Sequence, residues 1–322
     1  MFLSDIKNQR ILILRGGALG DFILTLPAIS ALRRRWPKAY IELAGYEKSA
    51  CLVLATGLVD RLQSLDSARM ALYFQGECAL PPEEKKYIRS FDLIVSYLHD
   101  PEGVLLKHLK DAGAENIIAV SPLEIKNHAA DHFLSGLKDI LGDEAREYPP
   151  VRLEWLESLR QEAHRRLSVK VGEKKIIIIH PGSGSPAKNW PAKNFAMLAK
   201  KIRGETEFEP IIIGGEADEK TIAVMRPLLP EFRFLVNAPL TDVASILSAA
   251  GGFVGNDSGI THLAAALGIP VIALFGPTDP AIWAPRGKNI AIIKSLLPSN
   301  ESLAAIGVNA VLQALIKALV DN

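Results

Sequence analysis

Five consecutive apolar residues, Val271-Ile272-Ala273-Leu274-Phe275, stop abruptly at Gly276-Pro277-Thr278-Asp279-Pro280. A continuous apolar run bounded by turn residues marks a strand buried on both faces, and hence a parallel sheet covered by helices. The residues before it complete the unit. Phe253-Val254 is a short strand end, and Asn256-Asp257-Ser258-Gly259 is a turn of strong N-cap residues. A helix over 261–267 follows, closed by Gly268 and Pro270. Two loops therefore fall at the carboxyl ends of neighbouring strands, where open α/β sheets bind ligands.

The same grammar appears at the start of the chain. A buried strand over 10–15 runs into Gly16-Gly17-Ala18-Leu19-Gly20-Asp21. A helix over 22–35 follows, or one that begins at Pro27 with proline in its first turn. Trp36-Pro37 ends it, and 41–44 is the second strand. Beyond Gly45 the pattern is weaker: strands over 91–97 and 116–120, helices over 101–112 and 128–141, and an irregular stretch over 61–89. A parallel sheet restarts at 175–180, with a helix over 192–203, a strand over 209–213 and a helix over 241–250.

A length of 322 residues exceeds a typical single core, so two domains are expected. The expected division is 1–153, 154–174 as a linker with a bridging helix over 154–167, 175–300, and a terminal segment 301–322. The helix of that last segment, 309–320, is expected to pack back on the first domain. The fold class is α/β, two Rossmann-like domains with parallel sheets facing across a cleft.

Composition excludes several classes. A net charge of +1 gives no broad basic footprint for nucleic acid. Cys51 and Cys78 make neither a disulfide framework nor a metal cluster, and read as small buried or half-buried thiols. No leader-like segment precedes the first strand, and His262, Gly268 and Pro270 break the apolar stretch 260–283. The expectation is a cytoplasmic chain. The one dense basic cluster, Arg33-Arg34-Arg35-Trp36-Pro37-Lys38, reads as a solvated helix end with cations at its C-terminus. The alternative is contact with anionic lipid or acceptor phosphates.

Three loops of the second half carry phosphate and diol chemistry. The N–H groups of Ser258, Gly259 and Ile260 point out of a helix N-terminus, an anion site, and Gly259 allows close approach. His262, one turn in, adds a hydrogen bond or a charge. Asp257 beside a phosphate site makes sense as an acceptor for sugar hydroxyls. The alternative is that Asp257 only caps the helix and His262 is structural. Ser183 with its neighbouring glycines offers donors to phosphate, and Lys188 a point charge. Glu216, at another strand end, suits a ribose diol or is simply a first-turn acid. In the first half, Asp21 is held by the glycine turn of Gly16, Gly17 and Gly20. It is either a general base or an acid favoured by the macrodipole. Neither a G-x-G-x-x-G fingerprint nor a G-x-x-x-x-G-K-[ST] loop is present, which disfavours an NAD(P) oxidoreductase. A sugar nucleotide facing a base describes a glycosyltransferase.

The segments 15–28, His180-Pro181-Gly182-Ser183, Lys188-Asn189-Trp190-Pro191, 256–266 and 276–280, in this order, resemble the lipopolysaccharide heptosyltransferase family, glycosyltransferase family 9. The resemblance implies a GT-B fold, with the acceptor on the N-terminal domain and the nucleotide-sugar donor on the C-terminal one. It implies ADP-L-glycero-β-D-manno-heptose as donor and a lipid A–Kdo inner core as lipid-linked acceptor, reached peripherally at the inner face of the cytoplasmic membrane. Asp21 matches the family's general base and Lys188 the lysine that stabilises the leaving diphosphate. Glu216 matches the acid near the ribose and Asp257 the acid near heptose hydroxyls. Ser258, Gly259 and His262 match phosphate-contacting positions. The implied reaction is a single inverting displacement that requires no metal, with Mg²⁺ as an optional aid. Two other readings stand beside it: a glycosyltransferase for a different surface glycan, and a sugar-nucleotide-binding protein without turnover.

Overall fold

The computed structural model describes residues 9–54, 56–76, 80–145, 153, 161, 175–295, 297 and 302–321. The chain divides into two compact units, Met1–Pro149 and Pro150–Asn322, each built on one parallel sheet. The first contains β1 (Arg10–Arg15), β2 (Tyr40–Gly45), β3 (Arg61–Ser64), β4 (Leu93–Ser96) and β5 (Ile117–Ala119), in the order β3-β2-β1-β4-β5. The second contains β6 (Ile176–His180), β7 (Glu209–Gly214), β8 (Arg233–Val236), β9 (Gly252–Asn256), β10 (Val271–Phe275) and β11 (Ile290–Lys294), in the order β11-β10-β9-β6-β7-β8. Both orders are Rossmann-like and reverse beside the unit's first strand, between β1 and β4 and between β6 and β9. Such a switch point opens a crevice at the carboxyl ends of the two strands.

The central strands are the apolar runs. In β1 every residue from Ile11 to Arg15 is buried, with Ile11 paired to Ile41 on one side and Leu93 on the other. All five residues of β6 are buried as well, with Ile178 between Ile211 and Phe253. The strands missed in the sequence are those with a solvated face. The stretch 61–89 is not irregular: it holds the edge strand β3 and a helix, Pro82–Ile88. Polar Arg61, Gln63 and Ser64 leave β3 no apolar run to recognise. The partly exposed strands β8 and β11 escaped for the same reason.

Helix α1 (Leu19–Arg35) starts three residues earlier than expected and carries Pro27 in its interior. A proline there removes one hydrogen bond and costs roughly 3 kcal/mol. Burial on most of its surface offsets this. Phe22, Ile23, Leu24, Leu26, Ile29 and Leu32 are all buried, and α1 packs against α2 (Ala129–Ser135). At its C-terminal end Arg33 bonds to Asp60 at 2.6 Å and to the Ala39 carbonyl at 2.6 Å. That member of the basic cluster closes the unit's own chain. Cys51 is half-buried, and burial pushes its thiol pKa up.

In the second unit α3 (Ala192–Glu205) and α5 (Val308–Val320) cover one face of the sheet. Trp190 and Phe195, both fully buried, stack edge to face with ring centroids 4.9 Å apart. Val311, Leu312 and Leu315 of α5 enter the same cluster as Ile177, Trp190 and Leu274. The terminal helix was expected to pack on the first unit; its buried side chains instead enter the core of the second. An apolar stripe in a sequence names a buried face but not the core that receives it. The linker around Pro149, the bridging helix over 154–167 apart from Gln161, and Cys78 lie outside the described residues. Among the described residues no helix is long and apolar enough to cross a membrane.

Candidate functional site

In the first unit the loop between β1 and α1 lies at the switch point. Gly17 adopts φ +89°, a conformation that L side chains rarely take. A Cβ there would also stand 3.2 Å from the Asp21 carboxylate, so Asp21 lies over the turn. Gly16 faces Leu98 at the end of β4, and Gly20 is buried in the first turn of α1. The Asp21 Oδ2 accepts the Ala18 N–H at 3.1 Å. The Asp21 main-chain carbonyl accepts Arg15 Nη2 at 2.9 Å and Thr25 Oγ1 at 2.8 Å. Arg15 also donates to the Tyr97 carbonyl at 3.2 Å and lies over the Phe133 ring at 4.5 Å. Burial lowers the Arg15 pKa to about 10, against the opposing pull of Asp21 and Tyr97. Asp21 is thus a half-buried carboxylate whose backbone is clamped from below.

In the second unit the loops after β6, β7, β9 and β10 converge. Lys188 Nζ and Asp257 Oδ2 are 2.8 Å apart, and Thr278 Oγ1 donates to the same oxygen at 2.7 Å. Two residues assigned to separate tasks, diphosphate and sugar, therefore form one group. Asp257 takes one of three ammonium donors and orients the rest. Thr278, from the Gly276–Pro280 turn, is the member the sequence reading did not single out.

Helix α4 (Gly259–Ala266) begins at Ser258, whose Oγ accepts the Thr261 N–H at 3.4 Å. The serine hydroxyl thus points inward as a cap. The N–H groups at the start of α4 have no intrahelical acceptor, as at any helix N-terminus. His262 is buried within the first turn. Ser183 uses its hydroxyl locally, donating to the Ser185 carbonyl at 2.7 Å. Glu216 is exposed in the turn after β7.

The buried acid of that turn is Asp218, two residues on. Its Oδ2 accepts the Gly215 N–H at 2.8 Å and lies 3.1 Å from His180 Nε2. Burial pushes the Asp218 pKa up, but the His180 hydrogen bond and charge and the Gly215 N–H outweigh it, and the net shift is downward. Asn256, fully buried, ties the loops together. Its Nδ2 donates to the Pro181 carbonyl at 2.9 Å, and its Oδ1 accepts the Trp190 N–H at 2.9 Å. His180, Asp218 and the bridging role of Asn256 were not assigned from sequence. The one visible signal was a histidine ending an apolar run. Among the described residues no group of three or more His, Cys, Asp or Glu side chains could hold a metal ion.

Two Rossmann-like parallel sheets, with polar groups collected at their carboxyl-end switch points, define an α/β protein of the GT-B fold. The chain belongs to glycosyltransferase family 9 (heptosyltransferase), whose profile matches residues 28–305. Lipooligosaccharide heptosyltransferase 2 of Haemophilus influenzae is 34% identical over 131 residues, which cover 38% of this chain and 38% of that relative. The solved Escherichia coli ADP-heptose LPS heptosyltransferase II superposes with a TM-score of 0.81 at 20% identity, covering 97% of this chain and 99% of that one. An Escherichia coli heptosyltransferase solved with ADP gives a TM-score of 0.70 at 21% identity, covering 96% and 99%.

Proposed function

We propose that this protein is an inverting glycosyltransferase that moves a heptose from ADP-L-glycero-β-D-manno-heptose to a lipid A–Kdo type acceptor. The observation that carries the reading is the Lys188–Asp257–Thr278 group beside the capped N-terminus of α4. A cation and free helix N–H groups suit a diphosphate, and a carboxylate next to them suits sugar hydroxyls. The names of the relatives support heptose as the sugar, and the relative solved with ADP supports adenine nucleotide as the carrier.

Asp21 takes the proton of an acceptor hydroxyl as that oxygen bonds to the anomeric carbon. The bond from the anomeric carbon to the phosphate oxygen breaks on the opposite face, and ADP leaves with the electron pair. Lys188, His262 and the start of α4 stabilise the charge that builds on ADP. Glu216 serves the ribose and Ser183 the phosphates. The reaction as proposed needs no metal, with Mg²⁺ as an optional aid. The acceptor is lipid-linked, so the enzyme works in the cytoplasm at the inner membrane surface.

Calorimetry with ADP, UDP and GDP tests the donor, and a donor screen with mass detection tests transfer. ADP should bind best of the three; a clear preference for UDP would sink the ADP-sugar reading. ADP binding without transfer would leave a silent binder. Lys188→Ala should weaken ADP binding about tenfold or more and lower turnover, because a charge-assisted contact is lost. It also strips Asp257 of its cation. Wild-type rates in that variant would mean that the lysine only braces the loop.

A further inference from the structure

We infer that His180 and Asp218 are positioning residues of the donor site: they hold Ser258, and through it the N-terminus of α4, in the orientation that receives a diphosphate. The inference rests on the donor-site reading above. Both side chains are almost fully buried, at the carboxyl ends of β6 and β7. The Asp218 carboxyl is held ionised and can only accept, so its Oδ2 accepts from His180 Nε2 as well as from the Gly215 N–H. The proton on Nε2 fixes the ring, and its Nδ1 lies 3.3 Å from Ser258 Oγ. Ser258 Oγ in turn stands 3.1 Å from Thr261 Oγ1, which donates to the Asn256 carbonyl at 2.5 Å. A carboxylate, an imidazole and a hydroxyl are therefore linked in series from β7 across β6 to the start of α4.

Such a series also occurs where serine is a nucleophile. Here the hydroxyl is buried and its oxygen is occupied by the Thr261 N–H, so its task is to cap. The packing shows that Asp218 is placed for this. A Cβ on Gly182 would stand 1.5 Å from Asp218 Oδ1, so the carboxylate fills the space a side chain at 182 would need. The glycine of the His-Pro-Gly segment is required by the acid of the neighbouring turn. With Ser258 turned inward, the N–H groups of Gly259 and Ile260 are left for the ligand.

Amide replacements divide the series. His180→Asn puts an amide where Nδ1 was, within reach of Ser258 but not of Asp218. His180→Gln reaches Asp218 but not Ser258. Each should lower ADP affinity about tenfold and raise the donor KM more than it lowers kcat. The deciding measurement is a double-mutant cycle by ADP calorimetry on the full chain. In a Ser258→Ala background, His180→Gln should cost less than about twofold further, because the end of the series is already gone. A purely structural histidine would lower ADP affinity by the same factor with or without Ser258, and that result would overturn the inference. So would wild-type ADP affinity in His180→Asn or His180→Gln. Wild-type protein that binds none of ADP, UDP and GDP would overturn the donor-site reading and this inference with it.

Discussion

Asp21→Asn should lower kcat by about 10²–10⁴-fold, the usual worth of a general base, and leave ADP affinity within about twofold. The expectation follows from what the substitution keeps. An asparagine at 21 still presents a carbonyl-type oxygen to the Ala18 N–H, now bonded at 3.1 Å. The bonds from Arg15 and Thr25 go to the main-chain carbonyl of Asp21 and are untouched. Gly17 still allows the side chain to lie over the turn. The helix start therefore stays in place, and the catalytic capacity removed is acceptance of a proton, together with the negative charge that acts on Arg15. That capacity matters only in the transition state, so ground-state binding of nucleotide should not register it. Steady-state transfer and ADP calorimetry on the same preparation make the check. Near-full kcat would show that Asp21 only holds α1 to the end of β1, as a first-turn acid favoured by the helix dipole.

What the sequence disclosed follows burial. Strands buried on both faces, β1, β6 and β10, stand out as unbroken apolar runs, and from them the two sheets and their carboxyl-end loops can be placed. Strands with a solvated face, such as β3, read as loop because their side chains answer to water as much as to the core. Within the site, residue types were legible but partnerships were not. Lys188 and Asp257 are 69 positions apart, and nothing local says that they meet. Glu216 and Asp218 are acids of one short turn, and nothing local in the sequence says which of them is buried. The Gly215 N–H and the space above Gly182 turn Asp218 inward, while Glu216 stays exposed. Asn256 looked like one N-cap residue among several; its true place appears only once the loops after β6 and β9 lie side by side.

Asn256→Asp should destabilise the second unit by about 3 kcal/mol or more at neutral pH, although it changes the side chain by a single atom. Asn256 has no exposed surface. Its Oδ1 accepts the Trp190 N–H, and an aspartate oxygen can do the same. Its Nδ2, however, faces three oxygens: the carbonyls of Pro181 at 2.9 Å and Gly182 at 3.3 Å, and Asn189 Oδ1 at 3.4 Å. A carboxylate oxygen there would meet acceptors only, buried and without a donor. Protonation is the one relief, since a carboxylic acid O–H can donate to a carbonyl. The folded state should therefore raise the carboxyl pKa above its unfolded value. The sign follows from proton binding: the folded state then holds the proton over a range where the unfolded state has lost it. The deficit should be smallest below the unfolded pKa, grow as pH rises towards the folded pKa, and level off above it. Calorimetric melting of wild type and variant at pH 4.5 and pH 8, resolving the two units, measures this. A deficit equal at both pH values would mean that the loop relaxes away from the charge. A fully wild-type melting temperature would mean that Asn256 does not hold the loop after His180, which carries Lys188, to β9.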